Sequence, residues 1–371
     1  MICLLLLLPF LLFLLVEISG RLVVEGMGWD RYYVNQPYLH EVLSFDPNVV
    51  QGVSGPSRFI TNSQGLRSRE LADDDDYRIL AIGSSTTYSG SLDQDEAWTS
   101  LLGSRLTTSS GMKVWVGNAG KQGLTSRAMV IYADRLMPQV GGLNAIILMS
   151  GGTDQSFCMG AGGDPFLMRG GIDWDGLEYM VFHSSPGLFK PLRFRNLASA
   201  FFLMALKGRF VGNTIFINDS ITKARRHYAG SVKVDDEPDM SSCLLRYRDN
   251  LNKIIDISRA RSVRVVLVTQ AHMYDPGLSG KDKQVMVSCG IKPTPPESRC
   301  YSFGVFNRTM AAFNKATLDV CRERGVECID LEGVVPQTPR YFIDGGHPTE
   351  EGERLIAAHL SDYFLGHEPF G

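Results

Sequence analysis

This chain of 371 residues has no basic surplus, no zinc-type cysteine spacing, no internal repeat and no low-complexity tract. Lysine and arginine number 37 against 40 aspartates and glutamates, and the positive charges are scattered. That excludes the concentrated basic footprint through which nucleic acid is held. No C-x-x-C pair and no Cys/His ligand spacing suggests zinc, and nothing else implies a metal or an organic cofactor. The one run of like charge, Asp73 to Asp76, reads as a solvated linker. The remainder is an ordinary globular composition, 44% hydrophobic and 21% charged. Such a chain is long enough for one large core, or for a core with a sizeable insertion.

Charge is also missing from Ile2 to Val16, almost entirely Leu and Phe, and apolar character resumes at Leu22 to Val24 after Glu17 and Arg21. The run is short for the ~20 residues that span a bilayer but suits a signal h-region or a signal anchor. No A-x-A-type cleavage site follows, since Ile18-Ser19-Gly20 is a weak one, and no basic segment precedes the run. Residues 1–24 are therefore expected to be an uncleaved N-terminal anchor or signal peptide, with the rest of the chain exported. Besides Cys3 in the apolar run there are six cysteines, an even number that permits disulfides in an exported domain. Cys289 and Cys300 flank a Pro-rich loop and are the best candidate pair.

Residues 25–76 form an aromatic, Pro/Gly-punctuated lead-in that ends in TNSQGLRSREL, turn and edge-strand material. A β/α rhythm takes over at Tyr77 and runs to the end of the chain. Strands are expected at Arg78–Ile82, Lys113–Val116, Asn144–Met149, Val263–Thr269 and Glu327–Ile329. Helices are expected at Ala97–Leu106, Ser126–Leu136, Cys243–Ala260, Phe306–Arg324 and Glu350–Phe364. This alternation argues for an α/β fold with a five-stranded parallel sheet and helices on both faces. Only residues 155–242 break the rhythm, with Gly-rich turns and the apolar run Leu197 to Leu206. A segment of that length must carry structure of its own, and it reads as an insertion over the carboxyl edge, a lid or a recognition element. Phe194, Phe201, Phe202, Leu203 and Met204 would either pack inside the insertion or touch a membrane.

The chain is organised around Tyr77 to Ser89, YRILAIGSSTTYS, an apolar strand that stops at Gly83 and delivers Ser84, Ser85, Thr86 and Thr87 to the sheet edge. Open α/β sheets build their sites at that edge. Taken alone, the hydroxyl cluster serves equally as a helix cap. Three more turns fall at strand ends or before the last helix: Asn118 to Gly123, Gly151 to Asp154, and Asp344-Gly-Gly-His347. Together they supply a hydroxyl nucleophile, an imidazole base, a carboxylate to orient it and small turns that present N–H donors, the parts of an acyl-transfer site. His272, just after the fourth strand, lies close to the same edge; the other histidines match no motif.

With these four motifs in order, Tyr77 to Phe364 resembles the SGNH/GDSL-type serine hydrolases, an esterase/acylhydrolase family with a flavodoxin-like three-layer α/β/α fold. TNSQGLRS is similar to the lead-in of its membrane-anchored bacterial members. The resemblance implies Ser85 as nucleophile, His347 as general base and acid, and Asp344 as its orienting carboxylate. It also implies oxyanion donors from the N–H groups of Ser85 and Gly123. Where the family carries an oxyanion-hole asparagine this chain has Thr153, and Ser84 stands where the family name has aspartate. The expected activity is hydrolysis of acyl esters, acetyl above all, on cell-surface or extracellular polysaccharide by a membrane-anchored or secreted enzyme, in the bacterial periplasm or at the cell surface. Acyl transfer onto a glycan, and a glycan-binding scaffold impaired by Thr153, are the alternatives.

Overall fold

A computed structural model of the chain describes residues 2–27, 31–160, 177–178, 181–184, 197–210, 213–216, 218–287, 289 and 299–371. Helix α1 (Ile2–Gly26) leads into β1 (Tyr32–Tyr33), β2 (His40–Ser44) and β3 (Ser57–Ile60). The β/α alternation follows with β4 (Tyr77–Gly83), α2 (Ser85–Tyr88), α3 (Trp98–Ser110), β5 (Val114–Gly120), α4 (Ser126–Ile131), β6 (Ala145–Met149) and α5 (Gly152–Gly160). Next come β7 (His183–Ser184), α6 (Ala198–Phe210), β8 (Asn213–Phe216), α7 (Asn218–Gly230) and β9 (Val232–Val234). Helix α8 (Ser241–Arg259), β10 (Arg264–Val268), β11 (Arg299–Tyr301), α9 (Phe303–Arg324), β12 (Glu327–Ile329) and α10 (Glu350–Leu365) complete the chain.

The central sheet has five strands in the order β12-β10-β6-β4-β5, every pair parallel. Its strands are predominantly apolar because both faces are covered. Alternate residues of β4 go to opposite layers. Leu80 and Ile82 pack with α4, α8 and α9, while Ile79 and Ala81 pack against Trp98, Leu102 and Leu106 of α3 and Ile356 and Leu360 of α10. This is the three-layer α/β/α architecture expected from the sequence. Because β4 lies between β5 and β6, the chain steps first to one side of it and then to the other. The crevice at that reversal is where open α/β sheets hold ligands.

The five expected strands and their helices all form, with shifted ends. Strand β5 continues to Gly120, so Asn118 lies inside the strand and not in a turn after it. The lead-in is more ordered than its composition suggests: β2 pairs with β3 and, in parallel, with β8 from the insertion. Among its described residues the insertion therefore supplies three strands, β7, β8 and β9, and two helices, α6 and α7. Much of its Gly-rich part, residues 161–176, and Phe194 lie outside the described residues. Cys289 pairs with Cys300 as expected, and Cys158–Cys243 and Cys321–Cys328 are two further disulfides. Among the described residues no helix is long and apolar enough to cross a membrane.

Candidate active site

Strand β4 ends at Gly83, where any side chain would collide. A Cβ there would lie 2.0 Å from Thr87 Oγ1 and 2.9 Å from the Met149 carbonyl. Glycine lets the backbone turn at once into α2, so Ser85 opens that helix at the carboxyl edge. Gly120 plays the same part on β5, since a Cβ would lie 2.2 Å from the Tyr88 nitrogen. The Asn118 side chain fastens the turn: its Nδ2 donates to the Thr87 carbonyl at 2.6 Å and its Oδ1 accepts from Gly120 N–H at 2.8 Å.

Two buried ionisable residues hold the far end of α2. The Arg67 guanidinium, from the lead-in, donates to the carbonyls of Tyr88 at 2.8 Å, Ser89 at 2.6 Å and Leu92 at 2.6 Å. Burial lowers its pKa to about 10, yet it stays charged against the helix's negative end, where a cation is stabilising. Glu353 of α10 accepts from the Ser89 hydroxyl at 2.9 Å and from Trp98 N–H. Burial pushes its carboxyl up to about 8, against the opposing effect of those donors and of Arg67. Neither residue carried a signal in the sequence, being an isolated arginine in a turn segment and one acid among several in a helix.

The loop before α10 is closed by a bridge between Phe342 and Pro348 and by Ile343 N–H donating to the His347 carbonyl. Inside it, Asp344 accepts from the N–H groups of Gly346 and His347, each at 2.9 Å, and from His347 Nδ1 at 2.8 Å. The other ring nitrogen, Nε2, lies 2.8 Å from Ser85 Oγ. With Nδ1–H donating to the carboxylate, Nε2 is left to accept the serine proton. Burial alone would raise the Asp344 carboxyl, but the His347 ring and the hydrogen bonds it receives outweigh that and hold it below its usual range. In turn the Asp344 carboxylate raises the His347 pKa; burial opposes this, and Glu353 adds to it.

Ser85 and His347 open onto a cavity of about 250 Å³ that is also lined by Gly123, Thr153, Phe157 and Tyr274. All five residues singled out from the sequence, Ser85, Gly123, Thr153, Asp344 and His347, thus meet at one cavity. The hydroxyls of Thr153 and Ser84 are hydrogen-bonded to each other, a pairing that could not be read from the sequence. Asp154 beside it is a structural anchor: it accepts from Ser126 N–H and Oγ, and burial pushes it up to about 6. His272 reaches the cavity wall, but its ring is spent on Glu332 at 2.9 Å and on the Tyr274 N–H. Among the described residues one group is close enough to share a metal, His227 with Cys289 and Cys300, and those cysteines are joined as a disulfide. A larger cavity of about 490 Å³, beside α7 and Phe303, includes no member of the Ser85–His347–Asp344 set.

Residues 81–355, most of the chain, match the model of the GDSL-like lipase/acylhydrolase family. The chain belongs to this family. It is thus a GDSL-like hydrolase acting on esters. No curated protein matches it. Among solved structures, the GDSL-like chain is similar to a carbohydrate acetylesterase family member from Sinorhizobium meliloti, at 13% identity and TM-score 0.42, with 78% of this chain and 98% of the other covered. It is also similar to the M. smegmatis aryl esterase, at 12% identity and TM-score 0.41 over 77% and 97% of the two chains. A third is a putative lipolytic G-D-S-L protein from Desulfitobacterium hafniense, at 10% identity and TM-score 0.40 over 78% and 100%.

Proposed function

We propose that this GDSL-like hydrolase is an exported, membrane-held serine esterase that removes short acyl groups, acetyl above all, from cell-surface or extracellular polysaccharide. The observation that carries the reading is the unbroken hydrogen-bonded chain from Ser85 Oγ through His347 to Asp344. A scaffold that only binds glycan has no need of it. Ser85 Oγ attacks the ester carbonyl carbon while His347 Nε2 takes its proton. Collapse of the tetrahedral adduct expels the alcohol, which leaves with that proton. Water then attacks the acyl-enzyme, again losing a proton to His347; the acid departs and Ser85 recovers its hydrogen. The N–H groups of Ser85 and Gly123, with the Thr153 hydroxyl, serve the oxyanion.

A cavity of about 250 Å³ favours a small acyl group; drug-sized ligands occupy about 300–1,000 Å³. Three disulfides suit an oxidising compartment outside the cytoplasm. The apolar α1 would hold the chain at the membrane, in the bacterial periplasm or at the cell surface. The test is hydrolysis of p-nitrophenyl acetate and its longer-chain homologues by the full chain in detergent, beside Ser85→Ala. Acetate should be preferred and the variant should be inactive; full activity in Ser85→Ala would overturn the reading. Adding an acylatable oligosaccharide to the same assay separates hydrolysis from transfer, which the same triad would perform.

A further inference from the structure

Helix α1 has its polarity inverted. The stripe that faces α6 contains Glu17, Gly20, Arg21 and Val24, and the two charged side chains are only 1% and 4% exposed. Leu15, Val16, Ile18, Leu22 and Val23 point outward, with Leu15 63% exposed. A helix on a water-soluble body turns the other way, apolar stripe inward. On α6, the helix packed against α1, Leu203 and Leu206 are also exposed, at 67% and 57%.

The inward stripe is built to hide charge. Arg21 Nε donates to Glu17 Oε1 at 3.1 Å, and the same carboxylate accepts the Ala198 N–H at 2.7 Å, at the start of α6. A carboxylate at that end also meets the positive end of the helix dipole. The helices touch closely, for a Cβ on Gly20 would fall 2.6 Å from the Ala198 Cβ; small residues at such crossings are typical of helix pairs in lipid. Val24 and Phe201 continue the contact and pack on Tyr33 of the body.

We propose that the α1–α6 pair docks the catalytic body on a phospholipid bilayer. The first turns of α1 enter the hydrocarbon, and Leu203 and Leu206 of α6 rest at the boundary of headgroups and acyl chains. This builds on the reading of α1 as an anchor and adds that α6, from the insertion, shares the lipid contact. At 1.5 Å per residue the 25 residues of α1 extend about 37 Å, and from Glu17 onward one face of them is packed on α6 and the body. The 13 residues of α6 reach only about 20 Å, enough for an interfacial helix and too few to cross. Burying Glu17 and Arg21 against each other removes the charges that interrupt the apolar character of α1 and that lipid would exclude.

The experiment is depth measurement in phosphatidylcholine vesicles. The full chain with Cys3→Ser and Leu206→Cys carries an environment-sensitive fluorophore at position 206, and lipids with nitroxide-bearing acyl chains are the quencher. Retained p-nitrophenyl acetate turnover shows that the labelled chain is folded. Flotation with vesicles together with quenching at 206 of several-fold, reduced by Leu203→Asp, is the expected result. Flotation without quenching at 206 would overturn the shared contact and leave α1 as a simple tether. A blue-shifted, unquenched label with a doubled particle size would assign the face to a second copy and overturn the proposal. Failure to float would overturn both the proposal and the anchor.

Discussion

Arg67 and Glu353 grip the same residue: the guanidinium donates to the Ser89 carbonyl at 2.6 Å and the Glu353 carboxyl oxygen accepts from the Ser89 hydroxyl at 2.9 Å. Ser89 caps α2 with a left-handed backbone, φ 49°. One partner comes from the lead-in and the other from the last helix, so the position of Ser85 depends on chain segments that lie far apart in the sequence.

Arg67→Met would leave the buried carbonyls of Ser89 and Leu92 without their donor. We expect a stability loss of about 2–6 kcal/mol, from about 1–3 kcal/mol for each of these two buried carbonyls left unsatisfied, read by urea denaturation. Arg67→Lys should restore little of it, because an ammonium cannot reproduce the forked contacts of a guanidinium. A lysine variant as stable as the wild type would refute this role.

Glu353 gives stability a definite pH dependence. Its carboxyl keeps its proton up to about 8 in the fold, against 4.5 for the ordinary group. Between those values the folded state binds the extra proton, so stability falls as pH rises through that window. Glu353→Gln should flatten the decline in melting temperature between pH 5 and 8. An unchanged slope would mean that the buried carboxyl is already ionised.

The raised His347 pKa fixes the acid limb of activity. A general base must be neutral, so kcat/KM should rise with pH through a midpoint above the ordinary imidazole value of about 6.5. Asp344→Asn would favour the wrong tautomer and cost on the order of 10⁴-fold in kcat. A profile flat from pH 5 to 8 would remove His347 from the role of base.

Thr153 tests the oxyanion site. Thr153→Val keeps the shape and removes the hydroxyl, and should lower kcat by about 10²–10³-fold with little change in KM. Thr153→Ser should stay near wild type. Equal activity in the valine variant would show that the hydroxyl bonded to Ser84 serves the fold alone.

The central sheet was legible because strands buried on both faces write themselves as unbroken apolar runs, as Ile79 to Ile82 and Ile146 to Met149 do. Ser85, Asp344 and His347 were legible as a set for the same reason: each follows a strand or precedes a helix that the pattern locates. Short strands with distant partners were not. Tyr32–Tyr33 pairs with His183–Ser184, two residues each, and no local pattern records that register. Arg67 and Glu353 gain their meaning only from the carbonyls and donors brought to them by the fold. Likewise, Glu17 and Arg21 read as the end of an apolar run until α6 covers them. Of the three disulfides only Cys289–Cys300, flanking one loop, could be guessed; Cys158 and Cys243 are 85 residues apart.

The Cys158–Cys243 bond also closes the chain into a covalent ring around almost the whole insertion. A protease that cuts once within residues 159–242 therefore produces two polypeptides but not two molecules. The piece carrying Ser85 and the piece carrying His347 stay linked through sulfur. They migrate together on a gel until a reductant separates them.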